Sequence, residues 1–373
     1  TANGRAGIAV IRVSGSRTPD TIKAICRKAL PLPRMARLDW FYDPLTGEKL
    51  DQGLLLWFPG PASFTGEDVA EFHIHGGRAV VETFLKALSR IEGLRPAEAG
   101  EFSRRAFDNG RLDLTEIEGL GDLIAADTDA QRQQALAQMA GGLGSLYEGW
   151  REELMEVRAL VEAHIDFADE DLPTTIMDGV DERVGALRDQ ISEHLADGWR
   201  GERLREGVQI AILGAPNVGK STLLNALARR EAAIVSDIAG TTRDVVEVHL
   251  DLEGYAVTVA DTAGLRQTED EIEREGVKRA HARAGQADLK IVMVDARHWP
   301  DIESDVEHLI DEKSLIIVNK ADLAENRDEG IANNHQDISC LGVWYVSAKT
   351  GQGFAAFLQA LGEIVRKLLD RGN

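Results

Sequence analysis

Residues 214–221 read Gly-Ala-Pro-Asn-Val-Gly-Lys-Ser, a G-x-x-x-x-G-K-S spacing able to cradle a chain of phosphates. An apolar run from Val208 to Leu213 precedes it, and a helical stretch, Thr222 to Leu227, follows. The glycine-rich turn lets successive backbone N–H groups point inward, and the helix behind it presents a partially positive N-terminus. In such a loop Lys220 reaches the β and γ phosphates and the Ser221 hydroxyl ligates Mg²⁺. Asn217, Val218, Gly219 and Thr222 complete the wrap around the phosphates. A glycine turn before a helix with no ligand is the competing reading, and it is the weaker one even for the loop standing alone.

Four further segments follow in order. The strand-like run Val257 to Asp261 ends in Asp261-Thr262-Ala263-Gly264, where the carboxylate holds Mg²⁺ through water and the Gly264 N–H meets the γ phosphate. Between this run and the phosphate loop lies Ala239-Gly-Thr241-Thr242-Arg-Asp244, whose threonines complete the Mg²⁺ shell. Thr242 is favoured over Thr241 for the metal. The apolar run Leu315 to Val318 ends in Asn319-Lys320-Ala-Asp322, and the last carboxylate accepts two N–H bonds that guanine offers and adenine does not. Tyr345-Val-Ser347-Ala348-Lys349 ends another strand, with backbone able to bond the guanine O6. Each segment alone is a weak signal. Five in order, each at a strand end, identify a GTP-hydrolysing site.

Leu265 stands directly after Asp261-Thr-Ala-Gly264, where many related switches carry a glutamine that orients the attacking water. Leucine cannot polarise water, so another group must. The acidic stretch Arg266 to Gly276 offers carboxylates, most of which read equally well as a solvated loop. Asn217 has two readings as well: a ligand for a monovalent cation beside the phosphates, or a turn stabiliser.

These segments need a parallel sheet to position them, and from Arg205 onward strand and helix patterns alternate as such a sheet requires. Upstream, residues 1–112 mix strand-like runs (Gly7 to Val13, Leu54 to Phe58, Val69 to His75) with a helix over Ala79 to Arg90. Residues 113–205 are mostly helical, with apolar periodicity from Glu116 to Ile124, Leu146 to Ile165 and Val184 to Leu195. These helices show few obvious partners within their own segment. The 373 residues suit two or three domains. With 42 Lys and Arg against 63 Asp and Glu, the net charge of −21 argues against a broad basic surface for nucleic acid, though not against a local patch or RNA binding shared with a partner. Cys26 and Cys340 fit neither a disulfide framework nor a zinc site, which points to a reducing cytoplasm. No apolar run approaches the roughly 20 residues of a membrane span, and no signal peptide is visible. His73 and His75, at i and i+2 of a strand, share a face without a third metal ligand in view.

The upstream half carries a closer resemblance. Gly7-Ile-Ala-Val-Ile-Arg12-Val-Ser-Gly15, the run Pro59 to Glu71, His75-Gly-Gly77 and the run Gly100 to Leu114 resemble the MnmE (TrmE) family of tRNA modification GTPases. Glu118-Gly-Leu-Gly-Asp122, Ala163-His-Ile-Asp166-Phe and the Gly-Thr-Thr-Arg-Asp244 and Asp-Thr-Ala-Gly-Leu-Arg266 segments continue it across essentially the whole chain. The resemblance implies a multidomain α/β plus all-α protein. Its parts are an N-terminal α+β folate-binding and dimerisation domain (1–112), a central helical domain (113–205), and an inserted Ras-like P-loop G domain with a doubly wound sheet (206–373). It implies that the chain works with the flavoprotein MnmG, as a heterotetramer with an MnmE dimer. Together they add a (carboxymethyl)aminomethyl group to C5 of the wobble uridine, position 34, of certain tRNAs. The one-carbon unit comes from 5-formyl- or 5,10-methylene-tetrahydrofolate. By motif position, Arg12, Glu71 and Arg111 contact the folate; Arg111 departs from the lysine common in relatives but keeps its charge.

For hydrolysis, the resemblance implies K⁺ dependence and nucleotide-driven pairing of two G domains. Asn217 matches the K⁺ ligand and Glu273 the acid that positions the catalytic water. Family members continue past the G domain with further helices and a terminal Cys-Ile-Gly-Lys, whereas this sequence runs from Thr1 to Asn373. It therefore reads as part of a longer protein, expected to bind GTP but to modify tRNA poorly by itself. A ribosome-assembly GTPase is the rival reading, but it would carry a basic RNA-binding module or a second G domain, neither of which this sequence shows. A nucleotide-gated scaffold for partners is a third.

Overall fold

The computed structural model describes residues 5–166, 177–230, 233, 247–261, 285–302, 307–323 and 340–370. It divides into two compact units, one of residues 1–118 with 139–144, the other of 119–138 with 145–373.

The first unit is built on a four-stranded antiparallel sheet in the order β1-β4-β3-β2, comprising β1 (Ala6–Ser14), β2 (Arg37–Tyr42), β3 (Lys49–Phe58) and β4 (Val69–Gly76). Helices α1 (Thr18–Cys26) and α2 (Arg78–Leu88) pack on the sheet, and α3 (Glu101–Asp108) follows. Strand β4 shows why one face closes. Ala70, Phe72 and Ile74 are buried, while Glu71, His73 and His75 project from the opposite face, as a two-residue period requires. Phe41, Phe72 and Phe84 are fully buried and meet with ring centroids 5.3–5.5 Å apart, two of the three contacts edge-on. Gly53 is required where β3 crosses β4, because a Cβ there would overlap the His73 carbonyl.

The second unit contains a six-stranded sheet in the order β10-β9-β8-β5-β7-β6. Its strands are β5 (Val208–Gly214), β6 (Glu247–Leu252), β7 (Tyr255–Asp261), β8 (Leu289–Asp295), β9 (Ser314–Asn319) and β10 (Gly342–Val346). All pairings are parallel except β6 with β7. Every residue of β8 and β9 is buried, as expected for central strands covered on both faces. On one face α8 (Lys220–Ala228) and α9 (Phe354–Asp370) bury Leu223, Leu227, Phe357 and Leu361 against the sheet. The other face carries Leu213, Val292, Ile316 and Val343 under Trp299, Ile302 and Leu309.

The helical stretch comprises α4 (Leu114–Ala125), α5 (Asp129–Met139), α6 (Gly142–Asp166) and α7 (Val180–Glu206). Helix α7 runs eleven residues past the Leu195 limit set by periodicity and leads into β5 through Gly207. These helices have partners among themselves: Val157, Val180 and Leu187 are buried, Tyr147 and Trp150 of α6 meet His194 of α7, and polar pairs add to them. Arg183 pairs with Glu153 and Glu156, Trp150 Nε1 donates to Gln190, and Arg205 pairs with Asp122. Leu154, Met155, Ile165 and Leu195 stay exposed.

Truncating the hub of the aromatic trio, Phe72→Ala, is expected to cost about 3–5 kcal/mol of stability by leaving an unfilled cavity. Equilibrium urea unfolding followed by circular dichroism measures that loss.

Candidate functional site

The chain visits β6 and β7 on one side of β5 and then β8, β9 and β10 on the other. The strand order therefore reverses at β5, and the crevice beyond the carboxyl ends of such strands is where open parallel sheets bind ligands. Asn319 pairs with both Asp295 and Val346, so three strand ends stand in register at that edge, and β5 ends beside them at Gly214, opposite Met293 and two residues short of Asp295.

The phosphate loop spans the crevice with Gly214, Asn217 and Gly219 at φ of +145°, +62° and +109°. Asparagine tolerates that left-handed region better than most residues. Gly219 is needed twice over, for its φ and because a Cβ would overlap the Asn319 amide nitrogen. Lys220 is buried, and its Nζ donates to the carbonyls of Gly214 at 2.6 Å and Ala215 at 2.8 Å. Val218 is buried, whereas Ser221 and Thr222 are exposed in the first turn of α8. That turn starts from Gly219 with no side-chain cap. The arrangement suits a polyanion: an ammonium resting on replaceable carbonyls, a helix start, and two hydroxyls.

Two more loops are tied to this one. Asn319 is 3% exposed, its Nδ2 donating to Val218 O at 2.7 Å and its Oδ1 accepting from the Ala348 N–H at 3.0 Å. Lys320, at φ +63°, donates to Asn217 O at 3.0 Å and to Asp295 Oδ2 at 2.7 Å. Asp322 is exposed in a short 3₁₀ turn, Ala321–Leu323. Ser347 is fully buried and holds its own loop, its Oγ accepting from Thr350 N–H and its carbonyl from Gly351 N–H. Lys349 is exposed. The sequence reading passed over Asp295. Arg297 donates to it from Nε, Nη2 and the backbone N–H, and with Lys320 holds its carboxyl well below the usual carboxylate range. Its signal was the one its neighbours gave, an acid closing a buried apolar run.

Asp261 ends β7, its backbone in register with Ile212 of β5. Thr241, Thr242, Thr262, Ala263, Gly264, Leu265 and Glu273 lie outside the described residues.

The first unit holds the other predicted cluster. Arg12 and Glu71 are cross-strand neighbours of β1 and β4, joined by an Nε–Oε1 bond of 2.7 Å. The other Glu71 oxygen faces His73 Nε2 at 3.3 Å, and His75 pairs with Asp51. The Arg12 guanidinium also lies 5.9 Å from the Phe64 ring centroid. Phe64 belongs to the loop 59–68, which further along packs Gly66 against Asn109 and the Arg111 stem. Arg12, Glu71 and Arg111 thus border one loop. Glu67 fixes that loop by accepting from Ser14 and Arg105, and Asn109 donates to Thr65 O.

Residues 1–111 match the family model for the GTP-binding protein TrmE N-terminus, and residues 114–372 that for the MnmE helical domain. A tRNA modification GTPase MnmE of Parvibaculum lavamentivorans is 53% identical over 361 residues, covering 97% of this chain and 79% of that protein. Its counterpart in Paramagnetospirillum magneticum is 50% identical over 372 residues, 100% of this chain and 82% of that protein. The mitochondrial 5-taurinomethyluridine-[tRNA] synthase subunit GTPB3 of Danio rerio is 47% identical over 381 residues, 98% of this chain and 76% of that protein.

The loop's anchor is sensitive to acid. Arg95 and Arg105 hold Glu101, whose carboxyl is lowered from 4.5 to about 2 by hydrogen bonds from Arg95, the Glu98 N–H and Arg105. A depressed carboxyl contributes stability that is complete above its unfolded value and is lost as pH falls through the folded one. Between pH 4.5 and about 2 the chain's melting temperature is therefore expected to fall more steeply than that of Glu101→Gln, as scanning calorimetry can measure.

Proposed function

The chain belongs to the MnmE family of tRNA modification GTPases, and from that premise we propose a GTP hydrolase that acts in modifying the wobble uridine of tRNA. The observation that carries the GTPase reading is the Asn319 clamp, which joins the phosphate loop to the two base-reading loops at the sheet's switch point. Lys220 exchanges the Gly214 and Ala215 carbonyls for β and γ phosphate oxygens, and the N–H groups at the start of α8 face the same chain. Asp322 selects guanine, and the backbone at Ser347, Ala348 and Lys349 meets its O6.

The donor set fits a magnesium nucleotide: the Ser221 hydroxyl is exposed beside the loop, and Thr242 and Asp261 are the partners proposed for it. Bound Mg²⁺ and K⁺ supply positive charge against the phosphates, the latter in the role an arginine finger plays elsewhere. Asn217 holds K⁺ through its side chain, which is exposed while its carbonyl is occupied by Lys320. Glu273 orients the attacking water in place of the missing glutamine. Thr241, Thr262, Ala263 and Gly264 complete the γ phosphate contacts.

The N-terminal region, residues 1–112, binds a tetrahydrofolate derivative and dimerises; residues 113–205 form the helical domain and residues 206–373 the G domain. The folate site fits a part-exposed carboxylate, Glu71, for the pterin's amino edge, steadied by the half-exposed guanidinium of Arg12 bonded to it, with Arg111 as the arginine for the glutamate tail. MnmG, a homodimer partner and tRNA complete the assembly, which acts in the cytoplasm. The name of the zebrafish relative, a taurinomethyluridine synthase subunit, supports a tRNA uridine as target. No helix among the described residues is long and apolar enough to cross a membrane.

GTP turnover in KCl is expected to exceed that in NaCl by about tenfold or more, to lose this preference in Asn217→Ala, and to fall about a hundredfold in Glu273→Gln. Equal rates in the two salts would remove K⁺ from the mechanism. Calorimetric titration with 5-formyl-tetrahydrofolate is expected to show one site in the parent chain and none in Arg12→Ala or Glu71→Ala. Absence of binding to the folded parent would leave a GTPase without a one-carbon site.

A further inference from the structure

Asp295 has no place in any of the five nucleotide segments, yet it ends β8 in register with Asn319 at the mouth of the crevice. It is 7% exposed, and such a buried carboxylate is tolerated when its lone pairs are filled. Arg297, two residues along the chain, fills them with Nε at 2.9 Å, Nη2 at 2.6 Å and its own N–H at 3.0 Å. Lys320, from the turn after β9, adds its ammonium at 2.7 Å.

The geometry of Lys320 is what gives this pair a consequence. Its backbone sits at φ +63°, a conformation a lysine adopts at a cost, so side-chain contacts must hold it there. Its ammonium makes two such contacts, one to Asp295 and one to the Asn217 carbonyl in the phosphate loop. Lys320 is also two residues before Asp322. We infer that Asp295 is a positioning residue of the nucleotide site: through Lys320 it fixes the base-reading turn and the phosphate loop at Asn217 to one wall of the sheet. This rests on reading the crevice as a guanine-nucleotide site.

If Asp295 only closed the turn after β8, its loss would lower stability and leave the behaviour of bound nucleotide unchanged. If it acts through Lys320, its loss lets both loops relax and nucleotide escapes faster. Asp295→Asn keeps the shape and one acceptor but removes the charge that makes the Lys320 bond strong. The measurement is the release rate of prebound fluorescent mant-GDP from the 373-residue chain, chased with excess GDP. That rate reports on folded, loaded molecules whatever fraction of a variant has folded.

Loss of one charge-assisted contact is expected to accelerate release about tenfold. Lys320→Met is expected to do at least as much, and the double variant to release no faster than Lys320→Met alone, because the two residues act in series. Asp295→Glu, which restores the charge, is expected to recover most of the parent's retention. Release from Asp295→Asn within about twofold of the parent, or a double variant in which the two effects multiply, would overturn the assignment. Failure of the parent chain to retain mant-GDP at all would instead overturn the nucleotide reading beneath it.

Discussion

Asn319 uses both ends of its amide inside the protein. Nδ2 holds the Val218 carbonyl and Oδ1 holds the Ala348 N–H, while the residue itself is almost wholly shielded from water. A buried amide must find both kinds of partner, so three loops from three strand ends are obliged to meet in one arrangement. Much of the crevice follows from that obligation. Gly219 is glycine because the amide nitrogen occupies the space a Cβ would take. Lys320, the next residue, stands in a left-handed conformation with its ammonium on Asp295 and the Asn217 carbonyl. The phosphate loop and the loops after β9 and β10 are therefore tied to one another by hydrogen bonds within the chain, and bonds of that kind reduce the ordering that binding must supply.

The first unit solves a similar problem with charge instead of an amide. Its loop 59–68 has little apolar content to bury, and it is held by Glu67 between Ser14 and Arg105 and by Asn109 on Thr65 O. These bonds fix Phe64 beside Arg12 and Gly66 beside Arg111. The loop is thus held by a charge-assisted bond, whereas the Asn319 clamp is an amide held by neutral backbone groups.

What the sequence made legible follows the same division between local and distributed constraint. The phosphate loop, the Asn319 segment and the Ser347 segment could be read because each needs particular residue types at fixed offsets beside a continuous apolar strand. Strands β1 and β4 and helix α2 emerged from pattern within two residues at each end, and β3 only in its second half, Leu54 to Phe58. Strand β2 did not, because its core position Asp39 is a buried carboxylate, made possible by Lys28 and Arg37, and periodicity scores it as polar. Helix α7 was read too short because few of its residues are buried, Val180 and Leu187 among them, so no apolar stripe marks its length. Asp295 escaped for a third reason. Its meaning lies in a lysine 25 residues away that spacing rules treat as part of another segment.

Charge raises a last constraint, since a chain of net charge −21 is read here as handling two polyanions, GTP and tRNA. For the nucleotide there is no conflict. Beyond a screening length of about 8 Å at physiological salt the surrounding carboxylates lose most of their influence. Within that distance the Lys220 ammonium and the N-terminus of α8 are the positive groups at the loop. A tRNA is a different object, because its phosphates spread over a surface far larger than one screening length, and binding it strongly needs many cations arranged along its path. Among the described residues many arginines are committed to carboxylates of the chain itself, as at Arg151, Arg158, Arg183 and Arg188 on α6 and α7. A net charge of −21 leaves little room for a broad cationic track of that kind, so any contact with tRNA has to be local.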